Sequence, residues 1–185
     1  MFLTPPQPLR GSSPKGAPFT RTLAYTALLL ALGLALPRVL HVFGQSAGQM
    51  FLPLHLPVLV AGFSLGAVPG GVLGAVLPAA SFALSGMPPP PLLWFMTAEL
   101  LVYGLTAGLY KNKCRLPLWA SLPLAQVSGR AAYALILLVL GGVFHLNVPP
   151  ATMVLTALVT GLPGIAAQWV LVPLLIKALE KVKKP

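Results

Sequence analysis

Cysteine occurs once in this chain of 185 residues, at Cys114, and histidine three times. One thiol cannot form an internal disulfide, and no paired CxxC site for a metal or for redox chemistry exists. Cys114 reads as an inert thiol at a membrane edge. Acids are scarce too, with Glu99 and Glu180 the whole set. Metal or nucleophilic catalysis has too few groups to work with, and none of the patterns GxxxxGK[ST], HExxH or GxSxG occurs. Charged residues make up 8% of the chain, against about a quarter in ordinary soluble domains. So little charge cannot cover a water-exposed surface. With 57% hydrophobic residues and a mean hydropathy of +0.88, the sequence describes an integral membrane protein. The same composition excludes a disordered chain, which would be polar and charge-rich.

The charge is overwhelmingly of one sign, +10 net. It falls in three flanks: Arg10, Lys15 and Arg21; Lys111, Lys113 and Arg115; Lys177, Lys181, Lys183 and Lys184. Each flank abuts an apolar segment, the pattern of the positive-inside bias. Nucleic-acid binding would need a basic face interleaved with aromatics, which is absent. The first 18 residues hold five prolines and read as a disordered cytoplasmic tail. No hydrophilic domain follows the first apolar segment, which is therefore expected as a retained helix and not a cleaved leader.

A helix needs about 20 apolar residues to cross a hydrocarbon core of about 30 Å. Thr20–Leu40, Met96–Tyr110 extended back to Leu92, Leu116–Phe144 and Pro150–Leu179 all qualify. Leu54–Leu65 and Gly70–Leu84 are short, and length alone fits either two crossings or one re-entrant hairpin. The expected fold is an all-α bundle of six transmembrane helices over 19–180. Both termini are placed in the cytoplasm, with 181–185 a basic tail. Arg38 then stands alone on the outer side and Arg130 within a span. Gly62, Gly66, Gly70 and Gly74 recur every fourth residue, and small residues at that spacing let backbones approach closely in lipid. Pro69 interrupts the run, which favours a tight hairpin over a homodimer face. No internal repeat of the kind that builds a complete secondary transporter is visible.

Two charges lie inside the membrane. Glu99 is near the middle of the fourth segment and Arg130 near the middle of the fifth. Each costs about 2.5–3.5 kcal/mol at the bilayer centre on insertion scales, so both should face the protein interior, where their similar depth allows pairing. A structural ion pair and a polar ligand cavity are both open. Tyr103 follows Glu99 by four positions and shares its helical face. Gln126, Arg130 and Tyr133 share a face by the same logic, while Thr160 and Gln168 offer polar groups on the sixth segment. Glu180 is expected to pair with a lysine near it. The connections Gly48–Pro57, with Gln49, Phe51, Leu52, Pro53 and His55, and Ser85–Pro91, with Gly86, Met87 and Pro88, are apolar for external loops. They serve either as lids over a ligand or as loops tucked into the bundle. Ala27, Ala31 and Ala35 form one stripe along the first helix.

The strings GQMFLPLHLPVLVAGFSLG, SGMPP and AELLVYGLTAGLY resemble the substrate-binding S components of energy-coupling-factor (ECF) vitamin transporters. The likeness runs over Thr20–Leu179. It implies a six-helix protein that captures a vitamin or related micronutrient from outside and is not an enzyme. The partners it implies are a transmembrane coupling subunit, two ATPase subunits that use the ATP, and the lipid bilayer; this chain itself would need no cofactor. The stripe Ala27, Ala31 and Ala35 would contact the coupling subunit, and the two apolar loops would close the site. The niacin-type S components are the nearest in character, with Arg130 facing the nicotinate carboxylate. The competing class is a membrane protein of structural or assembly role, in which Glu99 and Arg130 only specify packing.

Overall fold

The structure, a computed structural model, describes residues 19–41, 44, 50–139 and 152–183. Every regular element among them is a helix. Lipid offers no hydrogen bonds to a backbone, so a chain this apolar must satisfy its amides within each segment. In order they are α1 (Phe19–His41), α2 (His55–Leu65), α3 (Ala67–Ser85), α4 (Leu92–Gly108), α5 (Leu118–Leu138), α6 (Thr152–Thr160) and α7 (Leu162–Lys183). A π-helical turn, Leu109–Lys113, extends α4 into the basic connection before α5.

Five helices, not the six expected, are long and apolar enough to cross a membrane among the described residues: α1, α3, α4 with its π turn, α5 and α7. One local feature accounts for the difference in number, and a second divides another expected span. Gly66 has φ +113°, a value open to glycine and strained for side-chain-bearing residues, and it ends α2 after 11 residues. At a rise of 1.5 Å per residue, such a helix covers about half of the hydrocarbon core. The last expected span, Pro150–Leu179, divides at Gly161 into α6 and α7, just ahead of Pro163, whose ring nitrogen has no proton to donate. At the C-terminal end α7 continues to Lys183, through most of the segment expected as a tail. The N-terminal tail, 1–18, lies outside the described residues.

The glycine run packs within the chain, as a hairpin and more. A Cβ on Gly62 would stand 2.6 Å from the Gly104 carbonyl oxygen, and one on Gly70 equally close to it. Gly74 lies against the backbone of Leu100, Gly104 against Gly70, and Gly108 against Ala67. The backbones of α2, α3 and α4 therefore meet with almost nothing between them. In lipid, where burial of apolar groups drives little association, such close packing is a main source of helix affinity. Val58, Leu59, Phe63, Leu73, Leu77, Leu100 and Tyr103 fill the core around this contact.

Contacts between ends sort the helices. Tyr25, Leu65 and Leu179 line one small cleft, and the Lys111 ammonium stands 3.5 Å from the Glu180 carboxylate. The start of α1, the end of α2, the end of α4 and the end of α7 thus share one end of the bundle. Glu180 finds its lysine there, on another segment and not in its own flank. Arg21, Lys111, Lys113, Arg115, Lys177 and Lys181 all belong to that end. At the opposite end, Leu34, Pro37 and Arg38 face Ser81, Leu84, Ser85 and Met87 across a cleft. Because α2 is only half a span long, its first residue, His55, begins within the bundle and not at its surface.

Candidate functional site

Four helices converge on a cavity of about 160 Å³ in the half of the bundle away from the cationic end. Its walls are Leu52, His55 at the start of α2, Leu92, Met96 and Glu99 on α4, Arg130 and Tyr133 on α5, and Thr156, Ala157 and Thr160 on α6. Glu99 and His55 are each 1% exposed. Hydropathy places these polar groups inside the membrane, and the fold turns them away from lipid.

Glu99 is the hub. Its Oε1 lies 3.0 Å from Arg130 Nη1 and 3.5 Å from His55 Nε2. The first is an ion pair by distance, yet its alignment falls short of a hydrogen bond, for Oε1 has no hydrogen-bond partner. Arg130 Nε and Nη2 are buried and unpartnered, and so are both nitrogens of His55. A buried polar group left unbonded costs about 1–3 kcal/mol, so ordered water or a ligand has to complete these bonds. Nε and Nη2 form the side-on edge of the guanidinium, the edge that matches the two oxygens of a carboxylate. Nη2 lies near Gly161, where an added Cβ would come within 3.4 Å of it.

Aromatic rings fix the surroundings. The His55 imidazole meets the Tyr103 ring edge-on, with centroids 5.1 Å apart. Tyr103 is fully buried and supports His55 from outside the cavity wall instead of lining it. Tyr133 does line it, braced by Phe95 at 5.6 Å. Leu52 holds φ +48°, a left-handed backbone uncommon outside glycine and costly for a bulky residue. That conformation carries its side chain into the wall, with Cδ1 3.0 Å from where a Cβ on Gly161 would be. The carbonyls of Met50 and Phe51 press on Gly164. Residues 50–52 are thus seated on two glycines at the start of α7.

Of the residues singled out from sequence, Glu99, Arg130, Tyr133, His55 and Leu52 come together here. Gln126 does not: its Nε2 donates to Gln168 Oε1 at 3.0 Å, and its Oε1 accepts from Trp169 Nε1 at 3.0 Å. It joins α5 to α7 outside the cavity. Gln49 lies outside the described residues. Phe51 is exposed and Pro53 buried, and neither lines the cavity. Gly86, Met87 and Pro88 sit elsewhere. The Ser81 hydroxyl donates to the Met87 carbonyl, and Met87 lines the cleft between α1 and α3, so this loop does not reach the cavity. Ala27, Ala31 and Ala35 are all exposed along α1.

Met96, Leu92, Thr156 and Ala157 escaped the sequence reading. Met96 precedes Glu99 by three positions and Thr156 precedes Thr160 by four, so helical spacing from the polar residues already noted would have found both.

A multi-pass helical membrane protein that turns a buried Glu99–Arg130–His55 cluster towards a partly open, largely apolar cavity has the form of a small-molecule-binding membrane subunit. Residues 21–176 match the family model described as ECF transporter, substrate-specific component. The chain belongs to that family. Its members bind substrate and catalyse no reaction; they work in the bilayer with a coupling subunit and ATPase subunits. Neither curated proteins nor solved structures gave a match.

Proposed function

We propose that this S component captures a small aromatic carboxylate, nicotinate foremost, from the outer face of the membrane. The observation that carries this reading is the unpaired side-on edge of Arg130 beside a cavity of about 160 Å³. A cavity near 150 Å³ holds a single benzene ring, so the space suits a one-ring vitamin. The ligand carboxylate lies on Nε and Nη2 while Glu99 holds Nη1, and Tyr133 flanks the ring. The N-terminus of α2 faces the same space and adds positive potential.

Positive-inside bias puts the cationic end of the bundle, with both termini, in the cytoplasm. The cavity then belongs to the outer half, as capture from outside requires. Residues 50–52 form the lid on Gly161 and Gly164. The loaded subunit docks through Ala27, Ala31 and Ala35 on the coupling subunit, and ATP hydrolysis by the partner ATPases reorients the whole S component.

Calorimetric titration of the purified protein tests the cargo. Nicotinate should bind one-to-one, and nicotinamide, which lacks the anion, at least about tenfold more weakly. Equal affinity for both would remove Arg130 from carboxylate recognition. Silence towards nicotinate from folded protein would remove nicotinate altogether.

A further inference from the structure

The side-on edge of Arg130 accounts for one end of a ligand, and His55 is left over. Its imidazole is 1% exposed, lines the cavity, and has no hydrogen-bond partner at either Nδ1 or Nε2. The nearest charged group, Glu99, is 3.5 Å from Nε2 without making the bond. Tyr103 holds the ring by its edge, which fixes the orientation of the imidazole and leaves its nitrogens unsatisfied. The other polar groups facing this space are Arg130, Tyr133, Thr156 and Thr160. Arg130 is committed on one side to Glu99.

A hydrophobic ring acid would give His55 nothing. Benzoate, for example, would satisfy Arg130 and bury the imidazole still deeper with both nitrogens empty. A neutral imidazole has one N–H donor and one bare acceptor nitrogen. A ligand whose ring carries a polar atom away from the carboxylate can pair with one of them. His55 and Arg130 flank the same carboxylate oxygen of Glu99, so they lie within the span of one small molecule. We infer that His55 is the selectivity residue of this site: it reads a ring heteroatom, and the substrate class is the heteroaromatic monocarboxylates, not ring carboxylates in general. This rests on the carboxylate reading of Arg130 above and adds to it the second contact point.

The test compares nicotinate with benzoate, which has the same carboxylate and ring size without the nitrogen. Both are titrated into wild-type protein and into the His55→Leu and His55→Gln variants. Wild type should prefer nicotinate by about 10- to 100-fold, the range expected when a buried polar group gains or loses its only partner. In His55→Leu the ratio should fall to near one, chiefly by loss of nicotinate affinity, and unchanged benzoate binding would show that the variant is folded. His55→Gln, which keeps a donor and an acceptor, should restore part of the preference and serves alone if the leucine variant fails to fold. Equal binding of the two acids to wild type would overturn the role of His55 while leaving Arg130 intact, as would a ratio that survives in both variants. Binding of neither acid would overturn this inference and the carboxylate reading together.

Discussion

A Cβ on Gly129 would lie far inside contact distance of Cδ2 and Cε2 of Tyr103. The glycine is therefore the floor on which Tyr103 rests, and Tyr103 in turn carries His55. A residue on α5 that does not itself line the cavity thus sets the position of a wall residue on α2.

Gly129→Ala should destabilise the protein by about 1–3 kcal/mol, the usual cost of overpacking. It should also weaken ligand binding more than a substitution of equal stability cost elsewhere in the core. Thermal unfolding in detergent, paired with calorimetry, separates the two effects. A variant with wild-type stability would mean that Tyr103 moves aside freely.

Glu99 and Arg130 should behave as a coupled pair. Removal of either partner strands a buried charge, at about 3–5 kcal/mol, so the separate costs of Glu99→Gln and Arg130→Gln should add up to more than the cost of the double variant. A double-mutant cycle in thermal stability measures the coupling; additive costs would dissolve the pair. Arg130→Lys keeps the charge but loses the planar fork and should lower nicotinate affinity at least about tenfold.

Gln126→Ala should leave the ligand's affinity within about twofold while lowering stability by about 1–3 kcal/mol, since it would leave buried Gln168 without its donor. A loss of affinity larger than the loss of stability would return Gln126 to the site.

Ala27→Trp and Ala31→Trp should leave capture intact in the isolated protein and abolish uptake in vesicles that contain the partner subunits. Both side chains face outward, so bulk there meets only lipid or a partner. Impaired binding in the isolated variants would put the stripe in the fold instead.

Gly104→Val should prevent accumulation of folded protein, because the new side chain would meet the backbone of Gly70 with no flexible atom to yield. Near-normal yield and melting temperature would contradict the close packing of α3 on α4.

The membrane class, most helix positions and the meeting of Glu99 with Arg130 were legible in the sequence, because hydropathy and the cost of buried charge act locally and strongly. The short reach of α2 was half-visible in its length, and the positive φ of Gly66 settled it. The break at Gly161 was not visible, since glycine and proline are tolerated inside membrane helices when neighbours rescue the backbone. Helical spacing put Tyr103 and Gln126 on the right faces, but which neighbour a side chain meets depends on packing across helices. Tyr103 met His55 as well as Arg130, and Gln126 went to Gln168 and Trp169. Met96 and Thr156 carried no charge to mark them.

The cavity takes its described walls from α2, α4, α5, α6 and residue 52, and none from α1. In the proposed docking through the alanine ridge of α1, what the protein carries and how it is handed on are written on separate parts of the chain. Substitution at the walls can then retune the cargo while the ridge keeps its fit, and variants with new contents need no new machinery to deliver them.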